Sequence, residues 1–350
     1  MALLNNKIDV IIPAYNVDER ILMRCLSSIV CQSILNDLEI TIVDDASDKS
    51  YNSIYKKAAN RFRGLVKIKV LRYEKNGGPG VARQYGIDNT HNEFITFIDA
   101  DDTYNGSFAL QILRNVMHTN NGLNVMVIGS FDEVVNENTA DPRGPILIPK
   151  VENFVWMFGK LYRRCFIEKY DIRFHPTSRA NEDSGFNTFV KLMSNEKEQI
   201  AFTHQHVYHW HENENSITRI NNAQYTYGSS TRDSFYGLVE NSIYAIKEAK
   251  KRDLNEAQRE FVTKLTIETL INLYVYYLEV YTWAKDHLEN NFKWCKLFYN
   301  EIYKDIENNI SKEKLEMVYS EIMIATYKSD TMNRIVPHIT IYQFLEMLKK

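Results

Sequence analysis

Three carboxylates, Asp99, Asp101 and Asp102, follow directly on the apolar run Phe94-Ile95-Thr96-Phe97-Ile98, with Ala100 between the first two. An apolar, β-rich run that ends in acids reads as a buried strand delivering carboxylates to a ligand crevice. Carboxylates this close repel one another unless a cation or hydrogen-bond donors offset the charge. A hard divalent ion would do so and would keep coordination positions for phosphate oxygens. The competing reading is a polar turn that caps the next helix, a position Asp favours.

Four other constellations carry candidate chemistry. Pro13-Ala14-Tyr15-Asn16 closes an apolar run at 8–13. It is either an ordinary proline turn or a nucleotide-contacting one, in which the Tyr15 ring stacks on a base. Asp44-Asp45-Ala46-Ser47 closes a second run at 38–43. One of its carboxylates could accept from a uracil imide N–H, or the segment only caps a helix. Asn76-Gly77-Gly78-Pro79-Gly80-Val81-Ala82-Arg83 is a glycine-rich turn into a helix. Gly78 and its neighbours permit close backbone approach, the helix start attracts anions, and Arg83 adds a cation. It is neither a Walker A sequence nor a dinucleotide fingerprint, because no Gly-Lys-Ser/Thr follows and the strand before it is not the first. A solvent-facing turn is the plain alternative. Glu182-Asp183 opens an expected helix. There a carboxylate is either a general base or an acid favoured by the helix dipole. In Tyr208-His209-Trp210-His211 the histidines could ligate a metal or touch a diphosphate. A histidine on a strand is more often structural, and no zinc-site spacing is present.

The elements that position these residues alternate. Strands are expected at 8–13, 38–43, 65–72 and 94–98, with helices at 18–32, 50–62 and 81–90 between them. This predicts an α/β fold with a doubly wound, mostly parallel sheet. Ligands bind outside the carboxyl ends of such strands, so the motifs should meet at one sheet edge. A helix at 107–118, an apolar run at 124–129, a polar loop with a short hairpin at 131–150, a helix at 181–193 and an aromatic strand at 200–210 follow. Beyond about residue 221 helical periodicity dominates, which divides the chain into domains 1–222 and 223–350. Ile267, Leu270, Ile271, Tyr274, Tyr277, Leu278 and Tyr281 form a stripe, and Leu273, Val275 and Tyr276 extend apolar character around the same helix. That pattern predicts the central helix of a small bundle. The bundle would cover the acceptor side and stabilise the first domain, or serve acceptor binding or homo-oligomerisation.

The 350 residues carry a net charge of -3, so no global basic field points to nucleic acid or an anionic membrane. Four irregularly spaced cysteines read as free thiols in a reducing compartment. No signal-peptide pattern opens the chain, and no apolar run reaches the roughly 18 residues of a membrane span. A soluble cytoplasmic protein is expected, with peripheral membrane contact left open.

In this order the motifs resemble those of family 2 glycosyltransferases of GT-A fold. The matching segments are Ile-Ile-Pro-Ala-Tyr-Asn (11–16), Val-Asp-Asp-Ala-Ser (43–47), Asn-Gly-Gly-Pro-Gly-Val-Ala-Arg (76–83), Phe-Ile-Asp-Ala-Asp-Asp (97–102), Trp156 to Arg164 with Gly159-Lys160-Leu161-Tyr162, and Asn-Glu-Asp (181–183). Ser216-Ile217-Thr218 matches more weakly, and the resemblance spans about residues 8–220. It implies a nucleotide-sugar donor, usually a UDP-sugar, with Mn²⁺ or Mg²⁺ at the diphosphate. Tyr15 and Asp44 or Asp45 would hold the base, and Asp99 would meet the ribose or the waters of the metal. Asp101 would be the chief metal ligand, with Asp102 supporting it or capping. Arg83 would lie near the diphosphate or base, and Asp183 would be the base of an inverting displacement. Family acceptors are often glycans or lipid-linked sugars. A hydroxylated base in DNA is the other acceptor considered, and the near-neutral charge counts against it. Gln84 stands where the family commonly has Asn. The rival readings are a nucleotidyltransferase and a non-catalytic sugar-nucleotide-binding protein.

Overall fold

The computed structural model describes residues 6–135, 144–212, 229–327 and 338–350. The chain divides into two compact units, Met1–Ser216 and Ile217–Lys350. The Ser216-Ile217-Thr218 motif and the expected boundary near 222 lie outside the described residues.

The first unit opens with β1 (Ile8–Ala14), α1 (Glu19–Val30), β2 (Leu38–Asp44), α2 (Lys49–Phe62), β3 (Lys67–Arg72), α3 (Pro79–Asp88) and β4 (Phe94–Phe97). β1 is buried along nearly its whole length, as a parallel strand covered on both faces must be. α1 turns Leu22, Cys25, Leu26 and Ile29 to that core, one stripe at helical spacing. The unit continues with β5 (Thr103–Tyr104), α4 (Ala109–Met117), β6 (Asn124–Val135), β7 (Ile146–Lys150), β8 (Lys160–Arg163), α5 (Arg164–Lys169), α6 (Glu182–Met193) and β9 (Gln199–His211).

All nine strands form one sheet, in the order β3-β2-β1-β4-β8-β6-β9-β5 with β7 on β6. The first four are parallel, so their carboxyl ends share one edge. Beyond β4 the sheet is mixed: β8 is antiparallel to β4 and β6, β9 parallel to β6, and β5 antiparallel to β9. β5 starts only six residues after β4 ends but pairs at the far end of the strand order. Six residues reach at most about 20 Å, so the sheet curls back on itself at the acidic turn.

The short hairpin expected within 131–150 is present, and its two arms take up much of what the polar composition suggested would be loop. β6 runs unbroken to Val135, and β7 pairs with it from Ile146↔Val135 to Lys150↔Phe131. Phe131 and Val134 are buried, and the acids between them face partners rather than water: Asp132 meets His206 Nδ1 at 2.8 Å and Glu133 meets Lys150 at 3.1 Å. Charged residues with cross-strand partners hide a strand from a reading based on polarity.

α3 lies tightly on β1, because a Cβ built on Gly86 would come within 2.4 Å of Ile11 Cγ2. Gly86→Ala therefore forces this contact apart, and an overpacking cost of about 1–3 kcal/mol is expected in denaturant unfolding.

The second unit comprises α7 (Ser229–Lys250), α8 (Glu256–Trp283), α9 (Leu288–Phe298), α10 (Lys312–Tyr327) and α11 (Ile341–Lys349). α8 starts with a capping box between Asn255 and Gln258. It buries Ile267, Leu270, Ile271, Leu273, Tyr274, Val275, Tyr277 and Leu278. The Tyr277 ring lies 5.1 Å from Phe344 and 5.9 Å from Phe292, so α8 is the packed centre of this bundle. Among the described residues no helix is long and apolar enough to cross a membrane.

Candidate active site

The carboxyl ends of β1 and β2 are tied together by their turns. Asp45 N donates to Ala14 O at 2.9 Å and Asn16 N to Ser47 Oγ at 3.0 Å. Both turns use left-handed backbone, at Asn16 (φ 51°) and Ala46 (φ 55°). Pro13 is half-buried within β1, whereas Tyr15 beyond it is 52% exposed and presents its ring to solvent. The two neighbouring acids do different work. Asp44 is fully buried, ion-paired with Arg72, and accepts from Ser47 N at 2.8 Å. Asp45 accepts from Tyr73 Oη (2.7 Å), Gly77 N (2.7 Å), Gly78 N (2.8 Å) and Asn76 Nδ2 (3.1 Å). Asp45 is thus the clamp that shapes the glycine turn. A base N–H reaching either carboxylate would share it with these donors.

Gly78 (φ 88°) delivers the chain into α3 with Pro79 at its first position. A Cβ on Gly80 would stand 2.8 Å from Glu182 Cγ, so the starts of α3 and α6 approach closely. That approach sets the central contact of the site. Arg83, 4% exposed, donates from Nη2 to Asp99 Oδ1 at 2.7 Å and from Nη1 to Glu182 Oε1 at 2.8 Å. Burial works against the charged guanidinium, but Asp99 and Glu182 more than offset it and hold its pKa above the usual value.

The acidic cluster splits by burial. Asp102 is 1% exposed, accepting from Tyr208 Oη at 2.7 Å and His211 N at 2.9 Å. Burial, then the Asp101 and Asp99 charges, push its carboxyl well above the usual range. Tyr208 Oη also accepts from Asp99 N at 3.2 Å, so one phenol braces both ends of the turn. Ala100 is buried; Asp99 and Asp101 remain half-buried, and the Asp101 carbonyl is held by Arg24. His209 sits opposite Thr103 on β9, with Nε2 3.6 Å from Asp132 Oδ2. Asp99 and Asp101 offer the hard oxygen donors a divalent cation prefers, and Asp99 Oδ2 meets no protein donor among the described residues. No group of three or more His, Cys, Asp or Glu that could hold a metal ion occurs among the described residues.

Asp183 occupies the first turn of α6, half-buried, with its Oδ1 on Ser184 N at 2.8 Å. Burial and the adjacent Glu182 carboxylate raise its pKa to about 7, although Arg83 pulls the other way. A carboxyl poised there can accept a proton near neutral pH. Lys160, 2% exposed on β8, donates to the carbonyls of Trp156 and Phe158. Burial lowers its pKa to about 7, against the opposing pull of Asp183. Asn187 on α6 donates to the same Trp156 carbonyl at 3.1 Å and accepts from Tyr162 Oη at 2.6 Å. α6, β8 and the Trp156 turn thus share one buried polar network.

The structure brings Arg83, Asp99, Glu182 and Asp183 together and links Asp45 to Gly78. Sequence reasoning passed over Tyr208 and Lys160 as functional groups. Tyr208 was overshadowed by the histidines beside it, and Lys160 opens the short strand Lys160–Arg163, where no local pattern shows that its side chain is buried.

With this geometry, the sheet and site define a GT-A-like α/β protein. The fold is shared with Staphylococcus aureus TarS 1-349 solved in complex with UDP, at TM-score 0.59 and 20% identity over 90% of this chain and 87% of that one. It is shared also with a mannosyltransferase of Pyrobaculum calidifontis solved with GDP-Man and Mn²⁺, at TM-score 0.51 and 14% identity over 98% of this chain and 86% of that one. Residues 9–178, just under half of the chain, match the family described as Glycosyl transferase family 2. Relatives include glycosyltransferase GlyA of Streptococcus pneumoniae (23% identical over 94% of this chain and 54% of GlyA). A poly(ribitol-phosphate) beta-glucosyltransferase of Bacillus spizizenii is 28% identical over 72% of this chain and 38% of its own length. The chain thus spans about half of GlyA and less of the second relative.

Proposed function

We propose that this protein transfers a sugar from a nucleotide-sugar, a UDP-sugar in the first instance, to a hydroxyl of a glycan or related polymer. The observation that carries the reading is the Asp99–Arg83–Glu182 bridge, which couples the acidic cluster to the helix bearing Asp183. Solved neighbours with UDP, or with GDP-Man and Mn²⁺, support a nucleotide-sugar donor. The poly(ribitol-phosphate) named in relatives supports a polymer acceptor.

In this reading Tyr15 faces the base, and the Asp45-clamped turn shapes the pocket wall. Asp101 and Asp99 would hold Mn²⁺ or Mg²⁺, which when bound would supply charge neutralisation for the departing diphosphate. Asp183 takes the proton of the acceptor hydroxyl as its oxygen bonds to the anomeric carbon. The bond from that carbon to the diphosphate oxygen breaks, and configuration inverts. Glu182, neutralised by Arg83, positions Asp183.

The test is nucleotide release from a panel of UDP-sugars and GDP-mannose, with Mn²⁺ and with chelator. Release from one UDP-sugar, lost with chelator and reduced about 10²-fold or more in Asp101→Ala, is the expected outcome. Metal-dependent UDP binding without turnover on any acceptor polymer would instead establish a binding protein.

A further inference from the structure

Between α2 and the edge strand β3 lies an open cleft of about 480 Å³, lined by Lys49, Asn52, Lys56, Val70 and Arg72. Every charge in the lining is positive. Arg72 is matched by Asp44 beneath it. Lys49 and Lys56 are exposed and make no ion pair among the described residues, whereas Lys57 on the same helix pairs with Glu19 at 3.3 Å. Lys49 is also the first residue of α2, a helix of 14 residues whose amino end adds positive potential. Neither lysine has a part in the sugar-transfer chemistry above, whereas Asn52 and Arg72 both donate to Asp44.

Spacing narrows the ligand. Lys49, Asn52 and Lys56 fall on one face of α2, and the two lysines are separated by about 10 Å along its axis. One phosphate cannot bridge that distance, but successive charges of a chain can. We propose that the α2–β3 cleft binds a phosphate-bearing polymer, with one charged group at Lys49, the next at Lys56, and Asn52 between them. The inference stands whether or not the protein transfers sugar.

The experiment uses the full chain and fluorescently labelled inorganic polyphosphate, followed by anisotropy at low salt with saturating UDP and Mn²⁺ present. Wild type is expected to bind, and Lys49→Ala/Lys56→Ala to bind roughly tenfold more weakly with an unchanged melting temperature. Both lysines are exposed, so the double variant should fold. Equal affinity of the variant and wild type overturns the proposal. Binding that is seen without UDP but lost when UDP is saturating overturns it too, because the anion then occupies the nucleotide site. Displacement by orthophosphate at matched phosphate concentration would show a single-ion site and overturn the chain reading.

Discussion

Asp183→Asn is expected to lower the turnover number for sugar transfer by about 10²–10⁴-fold while nucleotide affinity is retained. Asparagine keeps the shape of the side chain and its contact with Ser184 N but cannot take up a proton. Donor binding should survive, because the bonds that shape the nucleotide side run through Asp45, Gly78 and Asp99. The pH profile offers a second readout. Asp183 works as the carboxylate, and its pKa is raised to about 7 by burial and Glu182. Wild-type turnover should therefore fall as pH drops through 7, and the residual activity of Asp183→Asn should lose that limb. Stability gives a third readout of opposite direction. A carboxyl raised in the folded state favours folding below its unfolded pKa of about 3.9 and loses that contribution as pH rises through the folded value. The variant, neutral throughout, should gain stability over wild type above pH 7 and match it near pH 3. A wild-type profile flat from pH 5 to 8, with turnover undiminished in Asp183→Asn, would remove Asp183 from the mechanism.

Arg83→Met should be the most damaging single change to stability, at about 3–5 kcal/mol in denaturant unfolding. The cost is not the loss of attraction alone. Removing the guanidinium leaves Asp99, Glu182 and Asp183 around one site with no cation between them, and Glu182 is 7% exposed. The same change should move the acid limb of turnover to higher pH, because Arg83, together with the Ser184 N–H, lowers the Asp183 pKa. Arg83→Lys should recover only part of the loss, since a point charge cannot serve two carboxylates as the guanidinium fork does. An Arg83→Met protein as stable as wild type would show that the bridge does not form in solution.

The alternation of apolar strands and amphipathic helices in residues 8–98 is local in sequence, so the parallel half of the sheet was legible. Each strand there ends in a motif, which also placed Tyr15, Asp45, Gly78 and Asp99 at one edge. The stripe on α8 was legible for the same reason, because burial on a helix repeats every few residues. The second half of the sheet was not. β6 carries Asp132 and Glu133, whose partners come from β9 and β7, and no local pattern shows that pairing.

Residue types and spacing by themselves determined which acids lie beside which strands and that α6 opens with two carboxylates. Only the tertiary structure decided what each acid does. Asp102 is spent on Tyr208, Asp44 on Arg72 and Asp45 on the glycine turn, while Asp99 and Glu182 share Arg83. The physical reason is that a carboxylate's role follows from its desolvation and from the donors within hydrogen-bond reach. Here those donors come from residues as many as 109 positions away, as His211 is from Asp102.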